Sequence, residues 1–334
     1  MTSVGVRVTA TAPGVVKLFG EHAVVYGKPA IAMAIDKGVR VTVERQGGDS
    51  LLVVARDLVV RGVAIRVTSG SIEGSVIDGL QLAKLASYAL TALRIVSEGY
   101  GGDLKGIKVT IESQLPIGAG LATSAAVSVA TTVAYAKLIG VELSREEVAK
   151  LSHKVELTVQ GSASPMDTAT SSLGGVVYIK PGVELRRISA PPRLPVVIGH
   201  VERELTTGEL VRRVKELYSR HPKVVDKIMD SIEVVVDEAL AALGKGDYQL
   251  LGELMNINQG LLEALGVSNH RIANMVYMAR RAGALGAKLS GGGGGGAVIA
   301  LAPGVEDKVS VAMRLAGGEV ISTDINDQGV VVQH

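Results

Sequence analysis

Three observations predict an α+β protein of two domains. The chain has 334 residues, more than one ordinary core takes up. Its first third reads as strands that end in a strand, loop and helix unit, rather than as a regular strand and helix alternation. After about residue 205 come a helical block and then a strand, helix and strand pattern typical of a small sandwich.

Composition narrows the function classes. With 47% apolar and 20% charged residues the chain is globular, and with 3% aromatics its core is built from small branched side chains. A net charge of +2, with basic residues scattered and not interleaved with aromatics, excludes nucleic acid as an expected partner. The absence of Cys removes disulfides, thiolate metal sites and thiol catalysis. No charged leader precedes an apolar core at the N-terminus, so no signal peptide is expected and the cytoplasm is the expected location. Ser113 to Ala136 carries no charge and is long enough to span a bilayer, but Pro116 and its glycines make it a loop followed by a buried helix, so no membrane partner is expected.

In order, Val4–Ala12 and Val15–Phe19 read as strands around a Thr-Ala-Pro-Gly turn. Gly20-Glu21-His22-Ala23-Val24-Val25-Tyr26-Gly27 reads as a loop that buries its hydrophobes and offers its charges to a site. His22 alone is equally well a hydrogen-bonded structural histidine. Strands follow at Val39–Gln46, Leu51–Ala55 and Val59–Val67, then a helix at Val76–Ser97 and a strand at Lys108–Ser113. That strand delivers the chain into Leu115 to Ala126, where Gly118 and Gly120 open the backbone and a long helix begins. Such a start offers unpaired N–H groups and a positive dipole end to an anion. Thr123 and Ser124 stand where a hydroxyl either caps the helix or coordinates a metal riding on phosphates. The spacing fits neither a dinucleotide fingerprint nor a Walker loop, since no Lys follows until Lys137.

Ser144 and Glu147 form a capping box for the next helix, whose apolar stripe is Val148, Leu151, Val155 and Val159. Glu156, at the edge of that stripe, reads as a solvated acid or a site residue. Asp167 is the one acid among about fifteen small and hydroxyl residues, fit for a fixed catalytic base or for a helix cap after Pro165. Strands at Gly175–Lys180 and Leu194–Val201 flank a proline-rich stretch, Pro181 to Pro195, that holds the domain boundary; the domains are taken as 1–185 and 186–334. Helices are expected at Glu209–Ser219 and Val224–Leu243, with shorter ones beyond, and at Ile272–Ala282 with Met275 and Met278 as core fillers. Six glycines, Gly291 to Gly296, precede a strand at Ala297–Leu301. A glycine run inside structure implies that another backbone or a ligand comes close. A helix at Val305–Leu315 and strands near Val320 and Val330 complete the chain.

Three motifs in this order resemble the GHMP kinase superfamily over nearly the whole chain: Ala12-Pro13-Gly14 through Gly20-Glu21-His22, Pro116 to Ala126, and Lys288-Leu289-Ser290 with the glycines after it. Within it, Leu18 to Ala30 is similar to the mevalonate kinase branch, since galactokinases typically continue Gly-Glu-His with a Thr-Asp-Tyr run. The resemblance implies a domain like the second domain of ribosomal protein S5, followed by a ferredoxin-like domain, with ATP and substrate between them. It implies phosphorylation of the mevalonate 5-hydroxyl to 5-phosphomevalonate in isoprenoid biosynthesis, with Mg²⁺ as cofactor and ATP as co-substrate. Another small-molecule kinase of the superfamily, or a silent ligand sensor on the same fold, is the alternative. A homodimer is an assembly open to it.

The same resemblance carries roles onto particular residues. Glu156 and Asp167 have the separation of the family's metal-binding Glu and catalytic Asp, which implies Ser124 and Glu156 as metal ligands and Asp167 as base. Glu21, His22 and Thr207 would bind substrate. Pro116, Ile117, Gly118, Ala119, Gly120, Leu121, Ala122, Thr123 and Ser124 would bind ATP, and Gly291, Gly292, Gly293 and Gly294 would form an active-site glycine loop. Two departures stand out. Where the family often has a Lys after the first Pro-Gly, this chain has Val15, and Lys17, on the same side of the strand, would supply that charge. The phosphate loop reads Gly-Leu-Ala-Thr-Ser where Gly-Leu-Gly-Ser-Ser is common.

Overall fold

The computed structural model describes residues 5–46, 48–56, 63–68, 71–75, 79–116, 118–161, 163–321 and 323–333. Strand β1 (Arg7–Phe19) leads through a short 3-10 turn (Ala23–Tyr26) into β2 (Ala30–Arg45), followed by β3 (Leu51–Arg56), β4 (Val63–Thr68) and β5 (Ser71–Ser75). Then come α1 (Gly79–Tyr100), β6 (Ile107–Ser113), α2 (Thr123–Leu138), α3 (Arg145–Gln160), α4 (Met166–Leu173), β7 (Val176–Lys180) and β8 (Glu184–Ile188). The remainder is β9 (Val196–Val201), α5 (Thr207–Arg220), α6 (Pro222–Lys245), α7 (Tyr248–Ala264), α8 (His270–Arg281), β10 (Gly286–Ser290), β11 (Gly296–Leu301), α9 (Glu306–Leu315), β12 (Glu319–Ile321) and β13 (Val331–Gln333).

Two sheets result, as an α+β chain of two domains should give. The first runs β13-β1-β2-β6-β3-β4-β5, with β7 and β8 extending from the far end of β2. Among the described residues only β3 and β6 pair in parallel within it, across the long connection that contains α1. The second sheet is antiparallel, in the order β10-β11-β9-β12. Helix α2 lies against β1 and β2 with α1 and α3 on its other sides. Its side chains from Thr123 to Ala136 are almost all buried, which explains why it carries no charge before Lys137; buried hydroxyls such as Ser128 and Thr131 donate to carbonyls one turn back. Among the described residues no helix is long and apolar enough to cross a membrane.

Several boundaries differ from the sequence reading. The Thr-Ala-Pro-Gly segment is no turn: β1 runs through it, with a register shift between Pro13 and Gly14. Proline, lacking an N–H, is tolerated at such an irregularity, and opposite it a Cβ on Gly38 would stand 2.3 Å from the Ala12 carbonyl oxygen. Strands β5 and β8 went unread because they are short, and β8 is polar and exposed. Helix α7, 17 residues long, exceeds the short helices expected there. The start of the Val59–Val67 strand and of the Val76–Ser97 helix lies outside the described residues. The capping box of α3 is present: the Ser144 hydroxyl accepts from the Glu147 N–H, and the Glu147 carboxylate accepts from the Ser144 N–H at 2.8 Å.

The two halves of the chain are tied together in two places. β13 pairs antiparallel with β1, so the last residues return to the first sheet. On the other side Lys28 reaches Asp230 and Glu233 of α6 at 2.8 and 2.7 Å, and Lys180 of β7 shares Glu233 at 3.0 Å. Tyr26 stacks on Tyr218 of α5, with ring centroids 5.3 Å apart.

Candidate functional site

The two sheets meet where the three glycine-bearing motifs lie, and the functional side chains arrive there on several elements, β1, the turn after it, α2, α3, α4 and β10. The phosphate-type loop ends at Ala122, whose left-handed φ of 57° turns the chain into α2. No side chain caps that helix start, so its first N–H groups remain available to an anion. Ser124 is not a cap: its hydroxyl donates to Glu156 Oε1 at 3.0 Å. Leu121 contributes its carbonyl to the Val15 N–H at 2.9 Å, fastening the loop to β1. Ile117 lies outside the described residues.

Glu156 is 4% exposed, so the solvated-acid reading does not hold. Burial, and then the nearby Asp167 charge, push its carboxyl up to about 8. Asp167 sits in the first turn of α4, whose N-cap is Pro165, so it is not the cap either. Its Oδ2 accepts from Lys17 Nζ at 2.6 Å, while its buried Oδ1 has no partner. Val15 is buried beside Met166 and Ala30 in a small apolar cluster, and Lys17, two residues along β1, meets the acid instead. Thus the lysine charge is present, displaced by two positions along one strand face.

The Gly20 to Gly27 turn follows its pattern in part: Ala23 and Val24 are buried, Val25 is 55% exposed, and Glu21 and His22 are buried against β10 and the glycine run. His22 has a left-handed φ of 60°, and its Nε2–H donates to the Gly292 carbonyl at 3.0 Å. Burial lowers its pKa from 6.5. The Glu21 carboxylate pairs with the ammonium of Lys288, which is fully buried and also donates to the Leu289 carbonyl at 2.6 Å. Ser290, on the same strand, accepts through Oγ from the Lys17 N–H at 2.8 Å.

The glycine run is forced by close backbone approach. A Cβ at Gly293 would lie 2.0 Å from the Val267 carbonyl oxygen, and one at Gly295 would lie 2.3 Å from that of Glu202. Gly291, Gly292 and Gly294 complete the turn, and the Gly294 N–H donates to Val267 at 2.8 Å. Thr207 lies against Gly292, where an added Cβ would be 2.9 Å from its methyl, and its hydroxyl accepts from Arg203 Nη1 at 3.0 Å.

Arg203 is a residue the sequence reading missed. Its guanidinium lies across both glycine loops, close enough that a Cβ on Gly120 would meet Nη2 at 2.6 Å and one on Gly296 would meet Nε at 2.8 Å. Nothing in Glu202-Arg203-Glu204 signals this, because alternating charges read as a solvated loop. Lys288 left a fainter trace, as a lone cation inside an apolar strand.

Comparison with known proteins fits this geometry. Residues 87–175 match the GHMP kinases N terminal domain model, 238–318 the GHMP kinases C terminal model, and 3–45 the galactokinase galactose-binding signature. The chain is 42% identical over 334 residues to a mevalonate kinase of Thermococcus onnurineus, covering 98% of each chain. It is 43% identical over 331 residues to that of Pyrococcus abyssi, again covering 98% of each. Among solved structures it resembles L. major mevalonate kinase in complex with R-mevalonate, with a TM-score of 0.83, 26% identity, and 98% and 99% of the two chains covered. The Methanococcus jannaschii mevalonate kinase gives a TM-score of 0.77 at 28% identity, covering 96% and 99%.

Proposed function

The chain belongs to the GHMP kinase family, and from that premise we propose that it moves the terminal phosphoryl group of ATP to the 5-hydroxyl of mevalonate, giving 5-phosphomevalonate for isoprenoid synthesis. The observation that carries the reading is the 2.6 Å contact between Lys17 and Asp167, set beside a helix start open to phosphate. Near full-length identity of 42 to 43% to the two archaeal relatives supports mevalonate as the acceptor.

In this mechanism the backbone amides from Gly118 to Ser124 hold the nucleotide phosphates, within the loop from Pro116 onward. Asp167 accepts the proton of the attacking hydroxyl, and Lys17, bonded to its Oδ2, orients that acid and neutralises charge at the hydroxyl oxygen. Glu21, His22 and Thr207 bind the acceptor, and the Gly291 to Gly294 loop lets the backbone close on it. Arg203, spanning both glycine loops, adds positive charge beside the phosphates. Positioning and charge neutralisation, rather than covalent chemistry, supply the rate.

A magnesium ion fits the donor set: the Ser124 and Glu156 side chains offer hard oxygens 3.0 Å apart, two protein ligands plus phosphates suit this ion, and its charge would favour the ionised Glu156 that burial disfavours. Bound there, the ion would neutralise phosphate charge. The cytoplasm is the corresponding location. The expected division at 185/186 falls within β8, whose pairing with β7 carries the first sheet on to Ile188.

The test is ADP release from purified protein with Mg²⁺-ATP and mevalonate, beside galactose, homoserine, shikimate and phosphomevalonate. Release that depends on mevalonate and stops with EDTA is expected. Turnover on another acceptor instead keeps phosphoryl transfer and overturns the substrate; ATP binding without release on any of them favours a ligand sensor. The sensor reading drew on the missing lysine at Val15, and Lys17 at Asp167 removes that support.

A further inference from the structure

Alternate positions of one strand and its following loop hold the three site residues of the first motif. Lys288 pairs with Glu21, Ser290 accepts from the Lys17 backbone, and Gly292 accepts from His22. Of these three anchors only Lys288 is charged, and it is fully buried. A buried ammonium is costly unless an anion and further acceptors surround it, and here Glu21 and the Leu289 carbonyl do so. Glu21 itself is 2% exposed, with Oε1 taken by Lys288 and Oε2 buried without a partner. A buried carboxylate oxygen left unsatisfied beside a substrate loop is an acceptor waiting for a donor.

We infer that Lys288 is a positioning residue: it fixes the Glu21 carboxylate so that its second oxygen is directed to a hydroxyl of the acceptor substrate. This rests on the kinase reading above. Lys288 acts through Glu21, since its ammonium is bonded to that carboxylate and to its own neighbour's carbonyl. The titratable groups facing Glu21 are Lys288 from β10 and the adjacent His22. Because β10 belongs to the second sheet and Glu21 follows the first strand of the first, the acceptor site is correctly formed only when the two are docked.

The experiment is steady-state kinetics on Lys288→Met, Glu21→Gln and the double variant, with thermal unfolding of each. Lys288→Met is expected to raise the KM for mevalonate at least tenfold and leave the KM for ATP within about twofold. The double variant is expected to match Glu21→Gln alone, because without the carboxylate there is nothing left to position. Additive effects in the double variant, or an ATP KM that rises in step with that for mevalonate, overturn the inference. Should Lys288→Met not fold, the double variant leaves no unpaired buried charge and carries the comparison by itself: a mevalonate KM well above that of Glu21→Gln overturns the inference. Lys288→Arg, which keeps the charge, should recover part of the mevalonate KM. Wild-type turnover on mevalonate is measured first. Its absence fails the functional reading, whereas a normal wild type with an unchanged Lys288→Met variant fails this inference alone.

Discussion

Asp167 keeps one oxygen for Lys17 and leaves the other buried and unbonded, an arrangement suited to receiving a proton. Asp167→Ala should lower kcat about a thousandfold while ATP binding, followed by calorimetry, stays near normal. The acid is 23% exposed, so its loss should leave the folded fraction unchanged. His22 makes a second prediction, on pH. Burial lowers its pKa below 6.5, so the unfolded chain binds this proton more readily than the folded one. The stability it contributes is therefore present above pH 6.5 and is lost as pH falls through the lowered folded value. His22→Gln should flatten the acid side of a Tm profile taken from about pH 5 to 7.5; an unchanged slope would show that other groups set it.

Helix α2 begins at a strained alanine. A non-glycine residue in the left-handed region costs about 1–2 kcal/mol, of which glycine's extra unfolded-state entropy offsets about 0.5–1. Ala122→Gly should accordingly raise unfolding stability by about 0.5 kcal/mol in a denaturant titration, which also explains why a glycine is common there in the family pattern. The glycine loop runs the other way. Gly293 has a φ of 81° and a backbone oxygen 2.0 Å from where a Cβ would stand, so Gly293→Ala should cost about 3 kcal/mol or more and lower Tm clearly. Helix α3 was fully legible, since a capping box and a 3.6-residue stripe are both local signals. Strand β1 was read as two because Pro13 and Gly14 are turn residues locally. Pairing with β2, Pro13 opposite Gly38 and Gly14 opposite Ile35, overrides that tendency.

At the scale of the whole molecule, the chain closes on itself through β13. Val330 is buried and 331–333 pair with Thr9 to Thr11, so the first sheet needs the last residues of the chain. Removing residues 330–334 should lower Tm by several degrees and expose the edge of β1 to aggregation, measurable by calorimetry and light scattering. Across the opposite side, Lys28, Lys180, Asp230 and Glu233 with the Tyr26 and Tyr218 stack join the substrate turn to α5 and α6.

The sequence by itself determined the three motifs, their order, the buried helix after the phosphate loop, the capped helix at Ser144 and the glycine turn, because each is written in neighbouring residues. It also placed Lys17 on the correct face of its strand, by the two-residue period alone. Only the tertiary structure decided which charges meet. Lys17 and Asp167 are 150 residues apart in sequence, and Glu21 and Lys288 are 267 apart. It also turned Glu156 from an apparent surface acid into a buried one and laid Arg203 across both loops. Local periodicity tells which way a side chain faces, but its partner is set by where strand ends and helix starts converge in space, which no window of sequence contains.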